Sequence, residues 1–470
     1  MPFSIIIKIA LLSAVVSTSF AQDIKNWTII YYAVGSNSSE TDLLSDVAEM
    51  KRGKKSEAYN LIMLIDRIEG FSGDSTTLDG NFTNTRLYQI DHNVYHRLDG
   101  REFLPGIGID QSIEANMADA TTLKKFIQYG KKYYPANHYM LVLRSHGNGV
   151  GMCPDAESGE RDRLYPAEIT NVLTANESVD ILGLDVCSMA GLEDLYQWRP
   201  ENNSFSSNYV IASAPLSGAW AYDRILERLT INSSDELDSD TNYFDGGWER
   251  NLDPDEMSPP DLAKLIFEEI YDNQQWASWG LFDNSKISDL KLKIDEASRL
   301  LVHEERAVID DIIENTLGYY HNTSNNLEIA QLTFPYLDAH HFWSQVRDTA
   351  SFAIDTRKKA EEICLLLDDF VIYSYYGRGF LPETNDFVEG ISGVYQIIPQ
   401  GNRLFSRTKN SFWSHCGWFS PDDQSANQDS YGQYDWCING ATKGNNQVDN
   451  FFELLDFLFD ENDDVNNYKW

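Results

Sequence analysis

Short aliphatic runs alternate with amphipathic helical stretches through residues 27–249, and this alternation predicts the fold. Six runs are candidate strands, at 28–34, 60–65, 85–90, 140–144, 179–184 and 209–212. The runs at 140–144 and 179–184 have the composition of strands buried on both faces. Apolar residues at helical spacing between them predict helices at 41–51, 121–132, 165–174 and 191–197. Because strands that alternate with helices are joined by right-handed crossovers, we predict an α/β fold with a mostly parallel central sheet between helical layers.

The pattern changes after residue 250. Amphipathic segments predict helices at 261–271, 287–317 and 349–367, and the remainder contains short strands and loops rich in aromatic residues. A chain of 470 residues is long enough for two domains. We therefore predict a first α/β domain over 22–250 and a C-terminal mixed helical and strand domain over 256–470.

The N-terminal residues 1–21 have the features of a secretory signal peptide. Lys8 precedes an apolar stretch at 9–16, and Ser19-Phe-Ala21 fits a cleavage site flanked by small residues. The aliphatic residues 5–7 leave a retained anchor as the alternative. No later segment is long and apolar enough to span a bilayer. We therefore expect a soluble protein that is secreted or periplasmic, without stable membrane insertion.

Charge narrows the range of partners. The formal net charge is −36 at pH 7, and such a chain repels nucleic-acid backbones and anionic membrane surfaces. We therefore expect no nucleic-acid partner. The content of 42% hydrophobic and 13% aromatic residues is typical of a globular protein with a substantial core.

The chain has five cysteines, which are too few for a disulfide-built scaffold. An odd number leaves at least one thiol unpaired in an oxidising compartment. Cys416 and Cys437 lie in one Trp-rich and Gly-rich region and are the predicted bridge. Cys153 and Cys364 either pair or stay buried, and Cys187 is then the free thiol.

Two of the predicted strands end in residues suited to nucleophilic catalysis. The strand at 140–144 is followed by His146 and Gly147, and the strand at 179–184 by Cys187. Parallel strands end at one edge of a sheet, where the imidazole is able to deprotonate the thiol and then protonate a leaving amine. The N–H groups of Gly147 and Cys187 are candidates for stabilising a tetrahedral oxyanion. Each residue alone also fits a structural role, since free cysteine is among the most buried residue types.

A hydrophobic strand ending in His146-Gly147, followed by a second ending in Asp185-x-Cys187, resembles the catalytic signature of the clostripain family of cysteine peptidases. Further segments are similar to family blocks, at 27–34, 46–50, 64–67, 114–119, 122–126 and 390–395. The resemblance implies a caspase-like α/β/α sandwich, with Cys187 as nucleophile and His146 as general acid and base. It also implies a secreted endopeptidase that cleaves protein or peptide substrates after Arg or Lys. Arg144, two residues before the histidine, departs from the residue usual in the family.

The specificity pocket is where the resemblance is incomplete. A basic side chain needs an acidic partner, and Asp185 matches one acidic pocket position of the family. Where a second acid is expected the chain has Ser213, Ala214 and Pro215, and Trp220 matches an aromatic that follows. We assign Asp185, Ser213 and Trp220 to substrate binding, with core packing as the alternative for Trp220. The alternatives for the specificity are a weaker basic preference, a preference for Lys over Arg, a preference for a non-basic residue, or an inactive exported binding protein that keeps the fold.

The polar segment 151–164 between the two catalytic strands suits proteolytic nicking. The resemblance implies processing after Arg161 or Arg163, which divides the predicted catalytic domain, 22–250, into a histidine-bearing and a cysteine-bearing part. We accordingly expect a monomer or a self-processed heterodimer. The alternative is an ordinary surface loop with two solvated arginines.

Calcium is the one cofactor that the resemblance implies, and the chemistry itself requires none. Asp238, Asp240 and Asn242, with Glu249 at the twelfth place, mimic an EF-hand loop. Tyr243 stands where the sharp turn needs glycine, so a solvated linker is the first interpretation and a calcium site the second. We assign no transition metal, and the ligands of any metal remain unknown.

Overall fold

The computed structural model of the chain describes residues 24–158, 162–201, 203–214, 217–230, 251–274, 276–321, 336–375, 380–381, 393–398, 431–442 and 447–459. The predicted signal peptide 1–21, Arg161, Pro215, Cys416 and the EF-hand-like segment 238–249 lie outside these ranges. Among the helices within them, none has both the length and the apolar character needed to cross a membrane.

Strands and helices alternate through the first half of the chain. The strands are β1 Lys25–Gly35, β2 Asn60–Arg67, β3 Arg86–Asp91, β4 Val94–Arg97, β5 Ala136–Arg144, β6 Val179–Asp185, β7 Ser207–Ser213, β8 Trp279–Asp283, β9 Tyr320–His321, β10 Tyr336–Asp338, β11 Val371–Tyr375, β12 Phe380–Leu381 and β13 Tyr395–Ile397. The helices are Glu40–Gly53, Ala120–Tyr133, Pro166–Val172, Leu192–Gln197, Tyr222–Glu227, Pro259–Asn273, Ile287–Leu301, Arg306–Asn315, Ala339–Asp348, Ile354–Phe370, Asp435–Ile438 and Phe451–Phe459. Every strand and helix predicted over 27–249 is present.

Nine strands form the central sheet, in the order β11-β8-β7-β6-β5-β1-β2-β3-β4. The five central strands from β7 to β2 are parallel to one another. Antiparallel strands complete both edges, with β3 and β4 on one side and β8 and β11 on the other. The predicted α/β fold is therefore confirmed. In this order β5 and β6, the strands that precede His146 and Cys187, are direct neighbours at the centre.

Both faces of the sheet are buried because helices pack on each of them. Successive side chains of a strand point to opposite faces. In β1, Ile30 and Tyr32 join one hydrophobic core, and Tyr31 and Ala33 join the other. Helices that contribute to the first core are Ala120–Tyr133, Pro166–Val172, Leu192–Gln197, Ile287–Leu301 and Ile354–Phe370. Helices that contribute to the second are Glu40–Gly53, Tyr222–Glu227 and Pro259–Asn273. The result is the predicted α/β/α sandwich.

The C-terminal part of the chain shares this sheet. Strands β8 and β11 belong to the segment 256–470, and β8 pairs with β7 of the first segment. The division predicted between 22–250 and 256–470 therefore does not coincide with an edge of the sheet. Independent folding of the two segments stays a prediction.

The helix predicted at 287–317 is two helices in the structure, Ile287–Leu301 and Arg306–Asn315. The N–H of His303 donates to the carbonyl of Leu300, and that of Glu304 to Leu301. These short-range bonds satisfy the last carbonyls and end the first helix. The apolar periodicity continues across the break, which explains why the pattern predicted one helix.

Candidate active site

The ends of β5 and β6 place the predicted catalytic residues side by side. Arg144 and Asp185 lie opposite each other in the register of these strands, and His146 and Cys187 each follow two residues later. A Cβ atom added to Gly147 would lie 2.2 Å from the carbonyl oxygen of Cys187. The two strand ends are therefore in backbone contact, and only glycine leaves room for this approach.

Cys187 is a half-buried free thiol, and its Sγ lies 3.6 Å from Oγ of Ser217. The next residue, Ser188, has a φ of 62°, in the left-handed region that residues with a side chain rarely adopt. Such a conformation costs on the order of 1–3 kcal/mol, and it turns the chain sharply after Cys187. The other described cysteines are also free and are buried: Cys153, Cys364 and Cys437. Because Cys437 is free, its predicted pairing in a disulfide is wrong. Of the two predicted alternatives for Cys153 and Cys364, burial without pairing is therefore the one observed.

Ser213, at the end of β7, holds the loop that follows Cys187. The N–H groups of Met189 and Ala190 donate to its carbonyl oxygen at 3.1 and 3.0 Å. Its Oγ donates to the carbonyl of Val186 at 3.1 Å. Ser213 is fully buried, so its observed contacts position the nucleophile loop. A direct contact with substrate stays a prediction.

His146 lies at the surface of the site, and its Nε2 is 2.8 Å from Oγ of Ser38. Partial desolvation by the surrounding chain lowers the pKa of His146, and the nearby Arg144 and Arg163 lower it further. The imidazole is therefore neutral near neutral pH. A neutral imidazole is the form that is able to accept a proton from a thiol.

Ser38 and its neighbour Asn37 are site residues that the sequence pattern did not identify. Both follow β1, the strand next to β5. The side-chain amide of Asn37 donates to Oγ of Ser145 at 3.0 Å and to the carbonyl of Pro154 at 2.7 Å. This turn therefore braces the residues on both sides of His146. The available signal was the polar run Ser36-Asn-Ser-Ser39 directly after a buried strand.

Asp185 is fully buried and pairs with the buried side chain of Arg144. Its Oδ2 lies 3.2 Å from Nε of Arg144 and accepts a hydrogen bond from the hydroxyl of Tyr222 at 2.8 Å. The same guanidinium nitrogen is 2.8 Å from Asp46. Burial raises the pKa of Asp185 to about 7, although Arg144 opposes this. One guanidinium is thus shared by two buried carboxyl groups, directly beneath the strand ends that carry His146 and Cys187.

Trp220 packs against the sheet. It is 1% exposed, and its ring lies in an edge-to-face arrangement with Trp279 at 5.9 Å between centroids. A Cβ on Gly183 of β6 would lie 2.6 Å from this ring. The backbone N–H of Trp220 reaches Oδ2 of Asp185 at 3.4 Å. Trp220 is therefore a core residue that also holds Asp185, and contact with substrate stays a prediction.

A set of tyrosines from the C-terminal part of the chain clamps the helix Leu192–Gln197, which follows Cys187. The acceptors are two buried acids of this helix, Glu193 and Asp194, and the carbonyl of Ser188 in the loop before it. Tyr431 donates to Glu193 at 3.1 Å, Tyr434 donates to Asp194 at 3.1 Å, and the hydroxyl of Tyr395 donates to the carbonyl of Ser188 at 2.6 Å. Burial raises the pKa of Glu193 to about 7. The position of the nucleophile loop thus depends on residues more than two hundred positions away in sequence.

Comparison with known proteins agrees with this arrangement. The profile described as the Clostripain family matches residues 31–440. The chain is 33% identical to Clostripain of Hathewaya histolytica over 481 residues, which cover 94% of this chain and 89% of that protein. The family resemblance drawn from the strand-end motifs is confirmed.

Solved structures show the same fold. An inactive zymogen C11 protease from Parabacteroides distasonis has a TM-score of 0.53 at 18% identity, covering 83% of this chain and 98% of that chain. A secreted C11 cysteine protease from Bacteroides thetaiotaomicron, in complex with an irreversible peptide inhibitor, has a TM-score of 0.52 at 18% identity, covering 86% and 99%. At this level of identity the likeness concerns the fold alone, and it supports the predicted sandwich.

Proposed function

Because the chain belongs to the clostripain family of cysteine peptidases, we propose that it hydrolyses peptide bonds with Cys187 as nucleophile and His146 as general acid and base. The observation that carries this assignment is the contact between the ends of β5 and β6, where Gly147 packs on the carbonyl of Cys187. Cys187 is the one half-buried thiol among the four cysteines of the described residues, and the other three are buried.

The mechanism follows from these positions. The neutral imidazole of His146 accepts the thiol proton, and the sulfur forms a bond to the substrate carbonyl carbon. N–H groups at Gly147 and Cys187 stabilise the resulting oxyanion. The carbon–nitrogen bond then breaks as His146 gives its proton to the leaving amine. Water attacks the remaining thioester with His146 again as base, which releases the acid product and restores the thiol.

Substitution of the two residues tests this mechanism. Cys187→Ala and His146→Ala should each lower the hydrolysis of an unfolded protein substrate by about a thousandfold or more. Cys364→Ala is the matched control, because Cys364 is also a free thiol but lies in the core of the helix Ile354–Phe370. Residual activity of Cys187→Ala close to that of the control would contradict the assignment.

A preference for Arg or Lys before the cleaved bond is the finer proposal. It is supported by the 33% identity to Clostripain and by the acidic residue Asp185 two positions before the nucleophile. A carboxylate in a partly dry pocket binds a basic side chain through charge-assisted hydrogen bonds.

The contact between Arg144 and Asp185 favours a second candidate, the same peptidase with a preference for a non-basic residue. The guanidinium of Arg144 already provides the positive charge that a substrate Arg or Lys would bring, 3.2 Å from the Asp185 carboxylate. A second cation placed there would be repelled by the first. A panel of peptides that differ only in the residue before the cleaved bond separates the two candidates. Cleavage after Arg and Lys supports the first, cleavage after apolar residues supports the second, and no cleavage supports an inactive binding protein.

Export and processing complete the proposal. Residues 1–21 support secretion through a signal peptide, and one structural neighbour is a secreted protease while another is an inactive zymogen. We propose cleavage after Arg161 or Arg163; Arg163 is half-buried, and Arg161 lies outside the described residues. Mass spectrometry of the active protein and of Cys187→Ala tests this. Intact Cys187→Ala beside a cut active protein would indicate self-processing, and identical fragments in both would exclude it.

A further inference from the structure

Three carboxyl groups that take no part in the proposed mechanism converge at the carboxyl end of β2. One carboxylate oxygen each of Asp66, Glu114 and Glu157 lies within 4.8 Å of the others. Asp66 is fully buried, whereas Glu114 and Glu157 are exposed. The three residues come from separate parts of the chain: a strand end, the loop before helix Ala120–Tyr133, and the segment between His146 and Cys187.

The buried member of this cluster has an oxygen without a partner. Oδ1 of Asp66 accepts a hydrogen bond from Oγ1 of Thr85 at 2.8 Å, but Oδ2 is buried and accepts none among the described residues. The neighbouring cation, Arg67, points elsewhere and pairs with Glu40 at 2.8 Å. In the described part of the chain, no Lys, Arg or His forms an ion pair with any of the three acids. A buried carboxylate oxygen without a donor is costly and therefore indicates a missing partner.

Hydrogen bonds fix the backbone beside the two exposed acids. The N–H of Ala115 donates to Oγ1 of Thr85 at 3.0 Å, next to Glu114. Buried Asp155 accepts from the N–H of Met117 at 2.9 Å and from the N–H of Glu157 at 3.1 Å. The carboxyl groups are therefore brought together by a scaffold and not by chance contact of free loops.

The proximity of the three groups has an electrostatic consequence. Three carboxylate oxygens within 4.8 Å of one another repel when all three groups are ionised. Carboxyl groups in such an arrangement hold either shared protons or a cation.

We propose that Asp66, Glu114 and Glu157 are ligands of a calcium ion that joins the end of β2 to the segment following His146. Calcium takes oxygen ligands in irregular geometry, which suits one rigid and two loop-borne carboxylates, and water or backbone carbonyls complete its shell. The N–H of Cys153 donates to the carbonyl of His146 at 2.8 Å, so the segment that carries Glu157 is also bonded to the catalytic histidine. The ion braces this segment, and the site is distinct from the EF-hand-like sequence at 238–249.

Isothermal titration calorimetry of the full chain carrying Cys187→Ala, with calcium chloride as the probe, tests the site. We expect calcium binding that weakens about tenfold or more in Glu157→Gln and in Glu114→Gln, because each loses a charged ligand. A Glu102→Gln variant, which changes an exposed acid outside the cluster, should bind as the parent does. Without calcium, the melting temperatures of Glu114→Gln and Glu157→Gln should equal or exceed that of the parent, because each substitution removes repulsion.

Four outcomes would overturn the proposal. Binding unchanged in both glutamine variants would place the ion elsewhere, and loss of binding in Asp238→Asn/Asp240→Asn alone would place it in the acidic segment. Magnesium chloride that binds as well as calcium chloride would exclude a calcium-selective site. Absence of calcium binding to the folded parent would mean that the three carboxyl groups share protons instead. None of these measurements depends on peptidase activity, so they stand apart from the proposed function.

Discussion

Replacement of Arg144 by methionine removes the charge that two buried carboxyl groups share. The Arg144 side chain is 7% exposed, and its Nε lies 2.8 Å from Asp46 and 3.2 Å from Asp185. Removing one partner of a buried ion pair costs about 3–5 kcal/mol, because the other charge is left in a poor solvent. Methionine fills much of the same space, so most of the expected loss in unfolding free energy is electrostatic.

Urea unfolding followed by tryptophan fluorescence measures this loss in the Cys187→Ala background. Burial raises the pKa of Asp185 to about 7. A carboxyl group whose pKa is raised on folding contributes most stability at low pH, and this contribution is lost as the pH rises through the folded value. Without Arg144 the pKa of the Asp185 carboxyl group rises further, so the stability deficit of the variant should grow as the pH rises above about 7.

Arg347→Met is the matched control, because Arg347 is partly exposed and pairs with exposed Asp348 at 2.8 Å. An exposed pair of this kind contributes less than about 1 kcal/mol. If Arg144→Met lost no more unfolding free energy than the control, or the loss did not depend on pH, the shared guanidinium would not stabilise the site as argued.

The same substitution in active protein addresses specificity. If Asp185 faces the substrate, removal of Arg144 leaves its carboxyl group to pair with a substrate cation, whose positive charge favours the ionised form. The ratio of kcat/KM for an arginine peptide to that for a leucine peptide should then rise about tenfold or more, equivalent to at least about 1.4 kcal/mol. An unchanged ratio in a folded variant would show that Asp185 does not contact the side chain before the cleaved bond.

Three further substitutions have defined outcomes. Gly147→Ala places a Cβ 2.2 Å from the carbonyl oxygen of Cys187. Peptidase activity should therefore fall about tenfold or more, and the free energy of unfolding by about 1–3 kcal/mol. Gly73→Ala is the control and should change neither quantity, because no atom lies within 4 Å of the added Cβ. Glu193→Gln removes a buried acid whose pKa rises from 4.5 to about 7 on folding. The variant should therefore be more stable than the parent by up to about 3 kcal/mol above pH 7 and by little near pH 4. Equal gains at both pH values in denaturant titrations would refute this argument. Because burial, Arg144 and Arg163 lower the pKa of His146, the acidic limb of the pH profile of kcat/KM should lie below pH 6.5. Arg163→Gln should move this limb to higher pH. A limb that does not move would show that Arg163 does not influence the pKa of His146.

The centre of the sheet was predictable because its information is local. Each parallel strand, β5 and β6 among them, is a short run of aliphatic residues buried on both faces, and such runs are recognisable one at a time. Since parallel strands end at the same edge, the motif residues His146 and Cys187 could be placed together before their coordinates were known. Only the neighbour relation between β5 and β6 had to be assumed.

What escaped prediction depends on distant partners. Strands β8 and β11 have five residues each and become strands by pairing at the sheet edge, which no local periodicity reveals. Tyr431 and Tyr434 donate hydrogen bonds to Glu193 and Asp194. The sequence around these tyrosines is equally compatible with an aromatic cluster on the surface. The sequence likewise offered Asp185 as a pocket acid, without indicating that Arg144 of the adjacent strand would neutralise it.

The order of strands determines what a cut within 151–164 would do to the molecule. The half that ends with β5 supplies the middle of the sheet and the half that begins with β6 continues it, joined by five registered residue pairs from Met140 with Ile181 to Arg144 with Asp185. Neither half has a complete core without the other, since side chains from both belong to each hydrophobic layer. A nicked molecule would therefore migrate as two bands under denaturing conditions, yet sediment as a single particle in native buffer.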